Sequence, residues 1–421
     1  MYIIYQCGVV GKYTENLIAH FFENVSILID RLLSNIGASS FIKDLVLQGM
    51  FGGMSSVLGF IPQLTILFLC ISFLESTGYM ARIAMLFDRF FRRLGMSGKS
   101  IISFMLGLGC SVPGIMSSKI IENEKERKMT SIVTPFIPCS AKLPMISLFS
   151  SYFFHEHSGI VAVSFYFLSV VVMIISSFLL KKIFFSHSSS TYISELPRYQ
   201  FPQVKYMLDD VLENVKSFII RAGSMILISS ILVWLLLSFS LEFQYGVPIE
   251  ESILAQVGSK ISFLLIPVIG KNSWEITISA IQGLIAKEQV ISSFAVIQEV
   301  SGTNLFSYFT PISAYAFVVF HLFSAPCIAA VSAMKHELGG TLKTIVAILF
   351  QTLLAWCLAS GINITGTWLS QGNIKLIDMS IIGVIFLIGI WIMCQKTHSN
   401  ACKNCKNSQT CHMKSEQIVN E

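Results

Sequence analysis

Charge is what this chain has least of. Only 13% of its 421 residues are Asp, Glu, Lys or Arg, against roughly 25% in soluble domains. The shortage excludes an ordinary water-soluble protein, whose helices each need a polar face. There is no basic excess to suit nucleic acid either, since the net charge is +5. Complete enzyme fingerprints are missing too: the chain has no nucleophile elbow and no dinucleotide-binding glycine pattern. Gly95-Met96-Ser97-Gly98-Lys99-Ser100 ends like a phosphate-binding loop but has two residues between its glycines instead of four, and no strand pattern precedes it. Gly8-Val9-Val10-Gly11-Lys12-Tyr13 fails in the same way. His155-Glu156-His157 lacks the spacing of a zinc protease and reads as a solvated loop.

What is plentiful is apolar surface: 53% of residues are hydrophobic, 33 are Phe, and the mean hydropathy is +0.69. Many stretches approach the ~20 apolar residues that cross a bilayer. The expected class is an all-α polytopic membrane protein with about 8–10 transmembrane helices. Spans are predicted near 57–76, 131–154, 160–180, 217–241, 276–297, 312–333, 344–362 and 377–394, with re-entrant or broken pieces at 101–118 and 260–270. Arg82, Arg89, Arg92, Arg93 and Lys99 crowd one connection, and Lys181, Lys182, Arg198, Lys205 and Lys216 another. The loops around Glu156, Glu242, Glu250 and Glu251 hold no Lys or Arg. Basic loops stay in the cytoplasm, which places both basic connections inside, the loops without Lys or Arg outside, Lys271 at an inner turn and the tail after 394 inside. Met1 to Val10 is apolar but too short to span and lacks a basic signal-peptide start. Residues 15–48 suit an amphipathic helix at the outer surface.

Three cysteine–proline clusters are sunk in these apolar stretches: Gly109-Cys110-Ser111-Val112-Pro113, Pro138-Cys139-Ser140-Ala141-Lys142-Leu143-Pro144 and Ala325-Pro326-Cys327. Proline removes a backbone donor and breaks a helix. In a bilayer a broken helix survives only where it is buried in protein or lines a cavity. Thiolates beside such breaks suit soft or borderline transition metals, although buried cysteines also serve as small hydrophobes. Glu75 and the pair Lys287-Glu288 add ionisable groups at the edges of spans; such groups mark a pathway or snorkel to the interface. Cys110 precedes Lys119, and Cys327 precedes Lys335, at similar spacing. This echo suggests paired broken helices in two halves, the sequence pointer to a transporter's central site.

Phe60-Ile61-Pro62-Gln63, Leu74-Glu75-Ser76-Thr77-Gly78-Tyr79-Met80-Ala81-Arg82, Gly107-Leu108-Gly109-Cys110 through Met116, the Cys139 cluster, Glu195-Leu196-Pro197-Arg198-Tyr199, Ala286-Lys287-Glu288 and Pro326-Cys327 occur in that order. Together they resemble the membrane half of the ferrous iron transport protein B (FeoB) family. The resemblance implies two Gate-type repeats in the cytoplasmic membrane of a prokaryote, importing Fe(II), with no enzyme chemistry in this part. It divides the chain into a truncated first span and outer segment (1–56), a first Gate repeat (57–180), a cytoplasmic loop (181–216), a second Gate repeat (217–376), a last span (377–394) and a cysteine-rich tail (395–421). Cys110 and Cys327 fall on the cysteines usually assigned to the iron path, and Cys139 on that of the intervening motif. Met116 and Glu288 join Glu75 as further candidate ligands. The family's GTP-binding domain is absent from this sequence, so a separate cytoplasmic GTPase and a small FeoA-like protein are expected partners, besides the bilayer and a possible homo-oligomer. Lys142 stands where the family usually has arginine.

After the last predicted span come Cys402-Lys403-Asn404-Cys405 and Cys411-His412. A CxxC with a Cys-His pair supplies ligands for Zn(II) or Fe(II), or else a redox dithiol; the tail resembles small cysteine-rich proteins associated with FeoB. The expected route runs from outside past Glu75, then Cys110 and Cys327, to this tail. The alternatives are a nucleoside-type Gate transporter and a non-transporting scaffold for metal-handling proteins.

Overall fold

Among the described residues every element is helical, apart from one isolated bridge between Phe239 and Tyr245. The computed structural model describes residues 9–35, 39–51, 59, 61–184, 203–240, 242, 244–246, 251–285, 287, 290, 291, 294, 298 and 305–371. The span predicted at 377–394, Glu195–Tyr199, Glu288 and the cysteine tail lie outside them. Three helical stretches, Glu124–Phe153, His155–Lys182 and Thr341–Leu369, are long and apolar enough to cross a membrane. Three further pairs qualify only as broken units, bent by 80°, 90° and 41°.

After a first helix, α1 (Val9–Asn35), the chain enters α2 (Ile61–Ser76), which bends by 80° into α3 (Tyr79–Leu94). Gly95, at φ +82°, closes α3, and Gly98 follows in a turn so tight that an added Cβ would lie 2.2 Å from Ala84 O. Asp88 holds this turn by accepting the Gly98 N–H at 2.9 Å. The apparent phosphate loop is therefore a helix connection, and its Lys99 pairs with Glu122 at 3.4 Å. Next, α4 (Ser100–Gly109) breaks at Cys110 and α5 (Ser111–Met116) folds back on it. The hairpin closes because Gly114 sits over Gly107: a Cβ on Gly114 would come within 2.9 Å of the Gly107 backbone. Helix α6 (Glu124–Val133) starts with Asn123 capping Lys125 N–H, tightens through Pro135 and Cys139, and resumes as α7 (Leu143–Phe153). Helix α8 (Ser158–Phe184) follows, exposing Ile160, Val163, Phe167 and Val170 along one side. That side is apolar and unpaired, as a lipid-facing wall requires.

The second half repeats this plan upside down. Val204–Phe218 (α9), part of the predicted cytoplasmic connection, is helical and runs through a π turn into α10 (Ser224–Ser238). Helices α11 (Ile253–Ile261) and α12 (Ile266–Ile269) form a unit that bends by 90° into α13 (Trp274–Ile285). The chain then passes Lys287 and returns to α14 (Pro311–Phe323), breaks at Ala325–Cys327, and continues as α15 (Ile328–Leu338) and α16 (Thr341–Gln371).

The two ends of the bundle can be told apart by charge. Glu75, Lys119, Asp210 and Lys335 line one cavity, which marks a basic end. From Asp210 the continuous helix travels about 42 Å to Ser238, at 1.5 Å per residue, and so reaches the far end. There Ile253 N–H bonds to Phe239 O. At the other limit of the α11–α12 unit, Pro267 O accepts from Asn363, about 33 Å along α16 from its basic-end start. Both limits lie at the far end, so this unit runs along it. Lys271 there stands 6.0 Å from the Tyr308 ring. Lys271 is thus at the end opposite Lys99, not on the same side as the sequence suggested. The reason is that 253–269 never crosses.

A second correction follows. Cys110 sits in a hairpin entered from the basic end, whereas the break at Lys287 is entered from the far end, where Phe294 returns to pack on Phe149 and Phe309. These two breaks correspond under inversion, and Cys139 corresponds to Cys327. The Cys110–Cys327 echo in the sequence pairs non-equivalent places, although α5 and α15 do pack against each other. With native cysteines replaced by serine, Lys271→Cys will react with an impermeant maleimide on the side where Glu156→Cys reacts and Lys99→Cys does not. Labelling of Lys271→Cys together with Lys99→Cys would refute the inversion.

Candidate functional site: three helix breaks above a cavity

Breaking a helix leaves carbonyl oxygens without their usual donors, and in an apolar interior each must find another. Here two buried lysines supply them. Lys142, 5% exposed, donates to Pro135 O at 2.9 Å, beside its own break, and to Leu322 O at 2.7 Å, at the end of α14. Lys287 donates to His321 O and to Ser324 Oγ, both at 2.9 Å. Two ammonium groups thus sit at the C-terminus of α14, where cations are favoured. Ser140 Oγ donates to Gly109 O at 2.8 Å, tying the Cys139 break to the Cys110 break. Hydrogen bonds thus link the breaks to one another, and the one from Lys142 to Leu322 O crosses from one repeat to the other.

The long α16 adds further donors. Gln351 reaches Ile132 O at 2.8 Å, where α6 tightens, and Trp356 reaches Leu264 O at 2.7 Å.

The cysteines stand at the breaks themselves. Cys110 has extended backbone between α4 and α5, Cys139 precedes a 3-10 turn, and Cys327 is the N-cap of α15. None is in a disulfide; Cys139 is buried and the other two are half-buried. Lys142 lies within electrostatic reach of both Cys139 and Cys327. An ammonium there compensates the charge of a thiolate ligand. Among the described residues no three His, Cys, Asp or Glu side chains converge on one point. Those predicted ligands that lie among the described residues are therefore spread along the interior and form no single closed shell.

Below the breaks lies a cavity of about 780 Å³, open toward the basic end. Met116 and Glu75 line it, as do Asp210, Lys335, His336 and Glu337. Glu75 therefore belongs to the basic end, on the cavity side of the breaks. Glu337 is buried and faces Lys119 at 3.6 Å and Arg127 at 4.0 Å, joining the two repeats across the cavity mouth. Lys287 does not snorkel; it is 3% exposed.

Three residues escaped the sequence reading. Glu337 and Asp210 look like ordinary surface charges in Lys335-His336-Glu337 and Leu208-Asp209-Asp210, and only packing shows which acid faces the cavity. His321 is 1% exposed, and neither ring nitrogen has a hydrogen-bond partner among the described residues. Its ring is wedged between Phe317, Phe320 and Gly283, where an added Cβ would come 2.7 Å from His321 Cε1. A lone histidine in an apolar run gives no signal of this kind.

The comparisons with known proteins agree with this geometry. The Gate family, described as nucleoside recognition, matches residues 57–153 and 219–341, the segments that hold the breaks. The chain belongs to the Gate family. Between the two Gate segments, residues 162–213 match the C terminus of ferrous iron transport protein B, so this is the FeoB form of the family. The Fe(2+) transporter FeoB of Staphylococcus aureus (strain MSSA476) is 38% identical over 331 residues, 78% of this chain and 50% of that protein. FeoB of Methanocaldococcus jannaschii is 36% identical over 371 residues, covering 86% and 54%. A Fe(2+) transport protein A/FeoB fusion protein of Porphyromonas gingivalis is 30% identical over 369 residues, covering 75% and 43%. The chain spans about half the length of these relatives. No solved structure matches it.

Two variants probe the Gate interior. Lys142→Met orphans Pro135 O and Leu322 O and relieves a buried charge, for a net loss on the order of 2 kcal/mol. It should lower the melting temperature of the purified protein, while Lys142→Arg should recover most of the loss; equal melting of Lys142→Met and the parent would remove the lysine's structural role. His321→Leu replaces two unsatisfied nitrogens with an apolar side chain of similar volume. It should melt at or above the parent temperature, and a lower one would mean that His321 makes a stabilising bond.

Proposed function

We propose that this chain is the permease core through which Fe(II) crosses the cytoplasmic membrane of a prokaryote. The observation that carries the reading is the coincidence of the three cysteines with three helix breaks knotted above one cavity. Three of the relatives are named as Fe(2+) transport proteins, which supports iron as cargo.

In this reading the basic end is cytoplasmic, because Arg and Lys near span ends mark the inner side. The ion enters from the far end and meets the thiols of Cys139, Cys327 and Cys110 at the breaks. It then reaches the cavity, where Met116, Glu75, Asp210 and Glu337 offer softer and harder ligands in turn. Dispersed ligands suit passage, since a conducting site must bind strongly enough to admit an ion and weakly enough to release it. Lys142 keeps the thiolate stage from carrying uncompensated charge. Glu288 and the tail ligands Cys402, Cys405, Cys411 and His412 remain candidates for ligating Fe(II), or Zn(II) at the tail, on sequence grounds alone. A soluble GTP-binding domain and a FeoA-like protein are the partners this reading calls for; the Porphyromonas gingivalis fusion protein supports the second.

Nucleoside transport is the competing reading, favoured by the Gate description alone. Purine or pyrimidine recognition would want neutral polar side chains at the breaks, and cysteines stand there instead.

Uptake of Fe(II) by cells deprived of their own ferrous transporters tests the proposal. Cells expressing this chain, with a soluble GTP-binding domain supplied if needed, should accumulate iron, and Cys110→Ser or Cys327→Ser should cut the rate at least tenfold. Unchanged uptake in both variants would sink the thiolate path. Ligation by a thiol releases a proton, so Fe(II) affinity of the purified protein should fall as pH is lowered.

A further inference from the structure

We propose that α3 is an interfacial helix that binds anionic phospholipid headgroups in the leaflet at the basic end. Only the naming of that leaflet as cytoplasmic rests on the function proposed above.

The placement of α3 comes first. It leaves α2 at 80°, directly after Glu75 of the basic-end cavity. Its other end is held at the same level: Lys181, closing α8, donates to Arg93 O at 3.0 Å and lies along Gly95. A helix with both ends at one level, perpendicular to a span, lies in the membrane plane. Its faces then sort by solvent. Met80, Ala84, Phe91 and Leu94 are buried against the protein. At 100° per residue, Tyr79, Leu86 and Phe90 share an exposed strip roughly 40° wide; Leu86 is 77% exposed. Arg89 and Arg93, both exposed, occupy the adjoining strip. An apolar strip flanked by a cationic one is how a helix rests among acyl chains while reaching phosphates.

The inverted repeat provides an internal comparison. Residues 253–269 hold the same place at the far end and also expose apolar side chains, Val257, Phe263 and Leu264. Their only charged residue is Lys260. Lying in an interface therefore does not itself demand arginines; the basic-end helix carries them in addition. Asp88 neutralises Arg92 at 2.5 Å, whereas Arg89 and Arg93 are exposed and are joined at this corner by exposed Lys182.

Native mass spectrometry of the full chain, taken from bilayers of equal phosphatidylglycerol and phosphatidylcholine, tests this directly. The parent should retain phosphatidylglycerol several-fold over phosphatidylcholine, and added salt should reduce the preference. Arg89→Gln with Arg93→Gln should lower retention at least threefold, Arg89→Lys with Arg93→Lys should keep most of it, and Lys205→Gln on α9 should change nothing. Equal retention by parent and double Gln variant, at matched melting temperatures, would overturn the proposal, as would an equal loss in Lys205→Gln. Impermeant maleimide labelling of Arg89→Cys in sealed cells settles the leaflet separately. Labelling from outside would refute the transport orientation above and leave the headgroup preference standing.

Discussion

The rest of the structure depends on the need to satisfy backbone carbonyls in a medium that offers no water. An unbroken helix bonds every carbonyl within itself; a broken one cannot. This chain breaks its helices repeatedly in its interior, at Cys110, Cys139, Lys287 and Cys327, and so must bring donors from elsewhere. Lys142, Lys287, Ser140 and Gln351 are those donors, and each reaches a different helix from its own. Because the bonds of Lys142 and Gln351 cross between repeats, neither repeat satisfies all its breaks alone.

That constraint explains why lysines are tolerated at such depth. A buried ammonium is costly unless paired or fully hydrogen-bonded. Here the two ammoniums face the negative end of α14, so the same groups that close the backbone's hydrogen bonding also offset the helix dipole. His321 marks the limit of this economy, a polar ring beside both lysines with neither nitrogen satisfied. Local conflict of that sort is most often found where stability has been traded for function.

Inversion links the interior to the membrane surface. Entering one hairpin from each end places their tips at mid-depth and leaves an in-plane helix at each face. The two faces then differ only in what those helices carry. Four arginines on α3 against one lysine at 253–269 make the ends electrically distinct, which is what a protein with an inside and an outside requires.

By itself the sequence determined the membrane class, the all-helical content, the break at each cysteine–proline cluster and the family, because these depend on composition and on residues close together in the chain. Apolar length excludes soluble folds, and proline breaks a helix wherever it stands. The tertiary structure alone decided that 253–269 lies along one end, that Lys271 belongs opposite Lys99, and that the Cys110 break corresponds to Lys287 and not to Cys327. It also decided that Glu75 joins Asp210 and Glu337 at the basic end. An apolar in-plane helix and a short span have the same hydropathy, and a carboxylate beside a span reads alike whether it faces a cavity or water. Those distinctions are made by contacts between residues far apart in sequence, such as Asn363 with Pro267 and Lys142 with Leu322, which no local pattern encodes.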